Sequence, residues 1–232
     1  MKSEQQLRWQ CFSSADRLVE SLYSDLASLA MQSIRERGVF HLVLAGGNTP
    51  QLLYLRLRQL VTDWSRWHLW FGDERCLPAG DPERNDVMAR EAWLNHVPVL
   101  PEHVHAIPAE LGSDAAASAY GMELGAQGDF DLVLLGLGED GHTASLFPGN
   151  ELGIDPDAPD ALPVYGAPKP PPERVTLSVN RLSRARGIWF IVTGETKSEA
   201  LRKWRNGAPI PAASIVPETA VEVYTDCCEE QS

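Results

Sequence analysis

The sequence predicts an α/β fold with a largely parallel sheet, and two observations carry that expectation. Short apolar runs at residues 39–45 (VFHLVLA), 67–71 (WHLWF), 131–135 (DLVLL) and 187–193 (GIWFIVT) read as strands, the first with the pattern of a parallel strand buried on both faces. Segments with apolar residues at helical spacing stand between them, and strands alternating with helices mark parallel βαβ connections. At 232 residues the chain suits one domain, or two in intimate contact, spanning residues 1–232.

The elements follow in order. Leu18, Leu22, Leu26, Leu29 and Ile34 recur at helical spacing, so a helix is expected from Ser14 to Arg37, capped by Ser13 or Ser14 and ended by Gly38. The strand at residues 39–45 stops at Gly46-Gly47, and a helix with Pro50 in its first turn comes next. The strand at residues 67–71 runs into the polar loop GDERCLPAGDPERND, after which Val87–Leu94 returns to a helical pattern. A short helix is expected at Ala115–Leu124. Residues 131–135 read as a central strand closing on the glycine loop GLGEDGH, and Arg174–Ser178 as a weaker strand. After residues 187–193, GETKSEALRKW reads as a helix with Lys197 in its first turn. The Pro- and Asp-dense stretch 149–172 is expected to be a long surface loop rather than a linker, because the residues beyond it read as more of the same sheet.

Composition excludes several function classes. Lys+Arg number 20 against 32 Asp+Glu, a net charge of −12, and the basic residues are scattered, which argues against nucleic acid as a partner. No apolar run is long enough to span a bilayer and the amino terminus lacks the apolar core of a secretory signal, so a cytoplasmic protein without a membrane partner is expected. Cys11, Cys76, Cys227 and Cys228 form no C-x-x-C pair and read as reduced thiols.

In a parallel sheet the ligand crevice lies beyond the carboxyl ends of the strands. Four polar clusters share that address: Gly46–Thr49, Asp73–Arg75, Gly136–His142 and Lys197. The turn AGGNTP offers backbone N–H groups at a helix N-terminus, with the Thr49 hydroxyl beside them, which is an anion site by geometry and dipole; it is equally a simple tight turn. Lys197 near a helix start opposes the dipole unless an anion joins it. Arg75 can donate a planar fork to an oxygen gaining negative charge, with Asp73 or Glu74 fixing it, although three adjacent charges can also satisfy one another. The letters G-x-G-x-x-G at Gly136–Gly141 do not make a dinucleotide site, because Pro148 and Gly149 break the segment where the fingerprint needs a helix. There remains a glycine loop presenting Asp140 and His142, and an imidazole there is the best general base in the chain. His103 and His105 form an H-x-H pair without partner ligands at suitable spacing and read as surface loop; no metal site is expected.

The succession AGGNTP, FGDER-x-LP with D-P-x-x-N, DLVLLGLGEDGHTASLFPG, APKPPPERVTL and VTGETK resembles the 6-phosphogluconolactonase family. The resemblance implies a single-domain modified Rossmann-like fold that is shared with glucosamine-6-phosphate isomerase/deaminase and binds no nucleotide. It implies hydrolysis of 6-phospho-D-glucono-1,5-lactone, the second step of the oxidative pentose phosphate pathway, without a cofactor or metal. Under it, Gly46, Gly47, Asn48, Thr49 and Lys197 hold the 6-phosphate, His142 deprotonates the attacking water, Arg75 meets the oxyanion or orients the substrate, Asp140 and Asp73 support them, and Arg174 is a further anion contact. A monomer or weak homo-oligomer is expected. The deaminase branch carries a glutamate in an N-E-P context shortly after D-G-H, whereas residues 143–148 here (TASLFP) hold no acid. Two departures stand out: Ala45 and Asn48 replace serines of the family's phosphate turn, and Arg84 stands where D-P-x-S-N has serine, adding a candidate cation.

Overall fold

The structure, a computed structural model, describes residues 5–227. Strand β1 is Leu7–Cys11. Helix α1, Ala15–Arg37, begins where the Ser14 hydroxyl accepts the Arg17 N–H at 3.3 Å and ends where Gly38, at φ 81°, turns left-handed and donates to Ile34 O. Leu18, Leu22 and Leu26 form its fully buried stripe. The chain continues through β2 (Phe40–Leu44), α2 (Asn48–Leu57), β3 (Trp67–Phe71), β4 (Asp73–Arg75), α3 (Asn85–Ala92), β5 (Val104–His105) and α4 (Ser113–Leu124). It then runs through β6 (Leu132–Leu135), β7 (Ala161–Val164), β8 (Arg174–Leu177), α5 (Val179–Ser183), β9 (Ile188–Val192), α6 (Ser198–Arg205) and β10 (Val221–Thr225).

Seven strands form one sheet in the order β1-β10-β9-β6-β2-β3-β5, every pair parallel. From β2 the chain moves outward to β3 and β5, then returns to place β6 on the other side of β2. The β2–β6 boundary is therefore the switch point, where helices on either side diverge and leave a crevice above the strand ends. Leu42 faces Leu69 on one neighbour and Leu132 on the other, and all three are completely buried, which fixes the register. This confirms the α/β fold with a mostly parallel sheet flanked by helices. Among the described residues no helix is long and apolar enough to cross a membrane.

The structure departs from the sequence reading in several places. Asp73–Arg75 is not loop but strand β4, and β8 does not join the main sheet: both belong to a second, antiparallel sheet ordered β4-β8-β7. Gly72 makes the change of sheet, its N–H still on Leu44 O and its carbonyl already taking the Leu177 N–H. The stretch 149–172 is likewise not loop throughout, since β7 forms within it and pairs with β8. His103 and His105 lie not on a surface loop but at β5, stacked among other rings. Finally, Cys11 is disulfide-bonded, contrary to the expectation of a thiol, whereas Cys76 and Cys227 are free and Cys228 lies outside the described residues. Parallel pairing of β1 with β10 sets Cys11 opposite Thr225, a neighbourhood of the two chain ends that cysteine spacing does not reveal.

Candidate active site

A cavity of about 350 Å³ opens above the carboxyl ends of β2 and β6. Of the sequence-predicted residues, Gly46, Gly47, Asp73, Arg75, His142, Arg174 and Lys197 line it. Asn48 and Thr49 do not; they open α2 directly behind Gly47. The Thr49 hydroxyl lies 2.5 Å from that of Thr193, tying the start of α2 to the segment after β9.

The glycine loop after β6 holds the imidazole on three sides. Gly138 donates its N–H to His142 O at 2.7 Å, and a Cβ on Gly138 would sit 2.0 Å from the ring, so only glycine admits it there. The Phe147 ring packs 4.7 Å away, centroid to centroid. Asp140 Oδ1 lies 2.5 Å from Nδ1 and also accepts the His142 backbone N–H. Burial works against charge on Asp140, but these two bonds outweigh it and hold its carboxyl below the usual range. With Nδ1 committed to the carboxylate, Nε2 is the nitrogen left for chemistry. No helix starts at this loop; Ala144, at φ 47°, and a Thr143–Leu146 bridge turn the chain instead, which removes any dinucleotide reading.

Across the cavity, β4 sets out its charges with a division of labour. Asp73 is buried, accepting the Ser145 hydroxyl at 2.6 Å and the Asn85 amide through both its backbone and side-chain oxygens. Asn85 also packs where a side chain on Gly46 would be, which explains that glycine. Glu74 points away from the cavity and takes the backbone N–H groups of Arg75, Asn85 and Asp86. Burial pushes its carboxyl up to about 7 against the pull of those donors. Glu74 thus fixes the backbone on which Arg75 stands, while the Arg75 guanidinium donates to Glu83 O. Arg84 is not a cavity cation. It is buried, with its donors on Asp86, Glu110 and Ile107 O, because α3 turns it toward the Glu74 side.

Arg174 faces Arg75 directly across the β4–β8 pair. Like charges opposed in this way are unfavourable without a counterion. Burial lowers the Arg174 pKa, and the neighbouring Arg75 adds to that while Asp73 opposes it. Lys169 also lines the cavity. Sequence reasoning passed over Lys169, Asn85, Ser145 and Phe147; the only available signal for Lys169 was the block APKPPPERVTL. The result is one pocket with four cationic side chains (Arg75, Lys169, Arg174, Lys197), one carboxylate already hydrogen-bonded, and one imidazole with a free nitrogen. Such an arrangement can hold a small polyanion and deprotonate a water beside it.

The chain is similar to proteins of known family and fold. The profile of the family described as glucosamine-6-phosphate isomerases/6-phosphogluconolactonase matches residues 13–224. A 6-phosphogluconolactonase of Mycobacterium leprae is 40% identical over 225 residues, covering 88% of this chain and 90% of that protein. The crystal structure of 6-phosphogluconolactonase from Thermotoga maritima superposes with a TM-score of 0.84 at 25% identity, covering 96% of this chain and 99% of that one. A monomeric glucosamine-6-phosphate deaminase shares the fold alone, with a TM-score of 0.77 at 21% identity over 95% of this chain and 97% of that one. The chain belongs to the glucosamine-6-phosphate isomerase/6-phosphogluconolactonase family.

Proposed function

We propose that this protein is a 6-phosphogluconolactonase that hydrolyses 6-phospho-D-glucono-1,5-lactone to 6-phospho-D-gluconate with His142 as general base. The observation that carries the reading is the imidazole held by Gly138, Phe147 and Asp140 at the wall of a cationic pocket whose only lining carboxylate, among the described residues, is Asp73.

The 6-phosphate sits on the backbone of Gly46 and Gly47 at the N-terminus of α2, where unpaired N–H groups and the helix dipole favour an anion. Lys197 supplies the countercharge, and Asn48 and Thr49 fix the first turn behind the glycines. At the other end, Nε2 of His142 takes a proton from water as its oxygen attacks C1. Asp140 stabilises the imidazolium that forms. Arg75, held by Glu74 and Glu83, meets the charge developing on the former carbonyl oxygen. Collapse of the tetrahedral intermediate breaks the bond from C1 to the ring oxygen, which leaves as the C5 hydroxyl with the proton from the imidazolium. The carboxylic acid then ionises and releases one proton to solvent. General base catalysis contributes about 10²–10⁴-fold, which with positioning suffices for a lactone that already hydrolyses in water.

Deamination and isomerisation of an amino-sugar phosphate need an acid to open the ring and move a proton between carbons. Asp73 is the one cavity carboxylate among the described residues, and Ser145 and Asn85 occupy it. The experiment is proton release from freshly generated lactone at neutral pH after exhaustive chelation, run beside ammonia release from glucosamine 6-phosphate. Fast lactone decay and no ammonia is the expected result; ammonia release with lactone decay at the spontaneous rate would overturn the reading.

A further inference from the structure

Arg174 reaches the cavity wall, yet its guanidinium donates to its own chain: Nε to Pro171 O at 3.2 Å, and one terminal nitrogen to Lys169 O at 3.0 Å and Pro170 O at 3.4 Å. It also lies 5.7 Å over the Phe147 ring, the ring that flanks His142. Phe147, Val164 and Ala167 form a small apolar cluster separate from the main core. The loop before β8 is therefore fastened by a buried cation and an aromatic ring. The charged side chain it offers the cavity, beside Pro170, is Lys169, exposed and without an ion pair or hydrogen bond of its own among the described residues.

We propose that Lys169 is a substrate-contacting residue whose ammonium meets the charge that hydrolysis creates at C1, and that Arg174 is the positioning residue that holds it there. The contacts from Arg174 through Phe147 to His142 put this loop at the imidazole end of the pocket, whereas Lys197 comes after β9, next to the phosphate turn. The negative charge that appears at the imidazole end is the oxyanion and then the carboxylate of the product. A lysine on a free loop would lose much rotamer and backbone entropy on meeting it; three carbonyls gathered by one planar guanidinium remove the backbone part of that cost beforehand. A lysine at position 174 could not span them, because an ammonium is a point donor and not a fork. The proposal rests on the lactonase reading.

The test compares two inhibitors that share the 6-phosphate and differ at C1: 6-phosphogluconate, with a carboxylate, and glucitol 6-phosphate, with none. In Lys169→Met, inhibition by 6-phosphogluconate weakens about tenfold and kcat/KM for the lactone falls with it, while inhibition by glucitol 6-phosphate stays within about twofold. Lys169→Arg restores most of the difference. Arg174→Lys, which keeps the charge, reproduces the Lys169→Met pattern through the loop. Equal inhibition of wild type and Lys169→Met by both compounds overturns the proposal. Equal weakening of both also overturns it, because it places Lys169 on the phosphate. Wild-type discrimination between the two inhibitors in Arg174→Lys overturns the positioning role. A wild-type protein that leaves the lactone untouched contradicts the functional reading instead, so the two failures are distinct.

Discussion

Five of the six histidines fall into two regions of the same sheet, and the regions use the imidazole in opposite ways. His142 stands on a glycine loop beyond the carboxyl end of β6, with one ring nitrogen on a carboxylate and the other free toward a cavity. His41, His68, His103 and His105 stack near the amino ends of β2, β3 and β5: His41 opposes His68 in register, the His68 and His103 rings are 3.8 Å apart, and His105 lies 3.8 Å from Trp70. There His68 pairs with His105 at 3.2 Å and His105 with Glu123 at 2.5 Å, while the buried Nδ1 of His103 has no hydrogen-bond partner among the described residues. Burial, reinforced for His68 by the other three rings, pushes His41 and His68 down to about 4, with Asp131 alone opposing it at His41. A residue's place relative to the strand, not its type, thus decides whether an imidazole is packed among rings or set at a cavity wall.

The largest effect expected from this contrast is on acid stability. His41 and His68 have folded-state pKa values below the unfolded reference of 6.5, so the unfolded chain binds more protons between the two. Their contribution is fully present above about pH 6.5 and is lost as pH falls toward 4. Asp131, facing His41, softens the loss, whereas Arg181 and the neighbouring rings deepen it. After discounting for the solvent that screens the half-exposed His68, the stack costs on the order of 3 kcal/mol by pH 4. Denaturant unfolding of wild type and His68→Phe at pH 7 and 4.5 checks this: the variant loses less stability on acidification. Equal loss would break the comparison.

Next in size is Gly138→Ala. Its Cβ would occupy the imidazole's place, so kcat falls about 10²-fold while the remote stack keeps its acid response. Phe147→Ala removes one wall of the same ring and lowers kcat about tenfold with a smaller change in KM; Phe147→Tyr retains most of the rate. Smallest is His105→Gln, which breaks the pair with Glu123 at the edge of the sheet. It leaves kcat and KM within about twofold, measured by the same proton-release assay.

The sequence makes the main sheet's central strands legible because each is a short apolar run ended by a turn, and the run at residues 67–71 coincides with β3 to the residue. Strand β4 was not legible, since Asp73-Glu74-Arg75 has no apolar signal and exists as a strand only through pairing with β8. Strands β1 and β10 are short alternating segments near the chain ends without an apolar run to mark them; β10 pairs with β9, and β1 has its place at the sheet edge only through β10. In the site, His142, Asp140 and Arg75 stand out because strand ends carry ligands. The separate tasks of Glu74 and Arg84 do not, because burial turns one charge of a triplet inward and its neighbour outward, and letters alone carry no direction. Lys169 is invisible without the fork of Arg174 that places it.

Whether the glycine-loop imidazole drives lactone hydrolysis in this pocket is decided by His142→Asn measured beside wild type, with kcat and thermal unfolding determined on the same preparations. A loss of about 10²–10⁴-fold in kcat is expected with the unfolding transition unchanged, because Asn keeps a polar side chain next to Asp140 but cannot accept the proton from water. A variant that turns over the lactone within about twofold of wild type would contradict it.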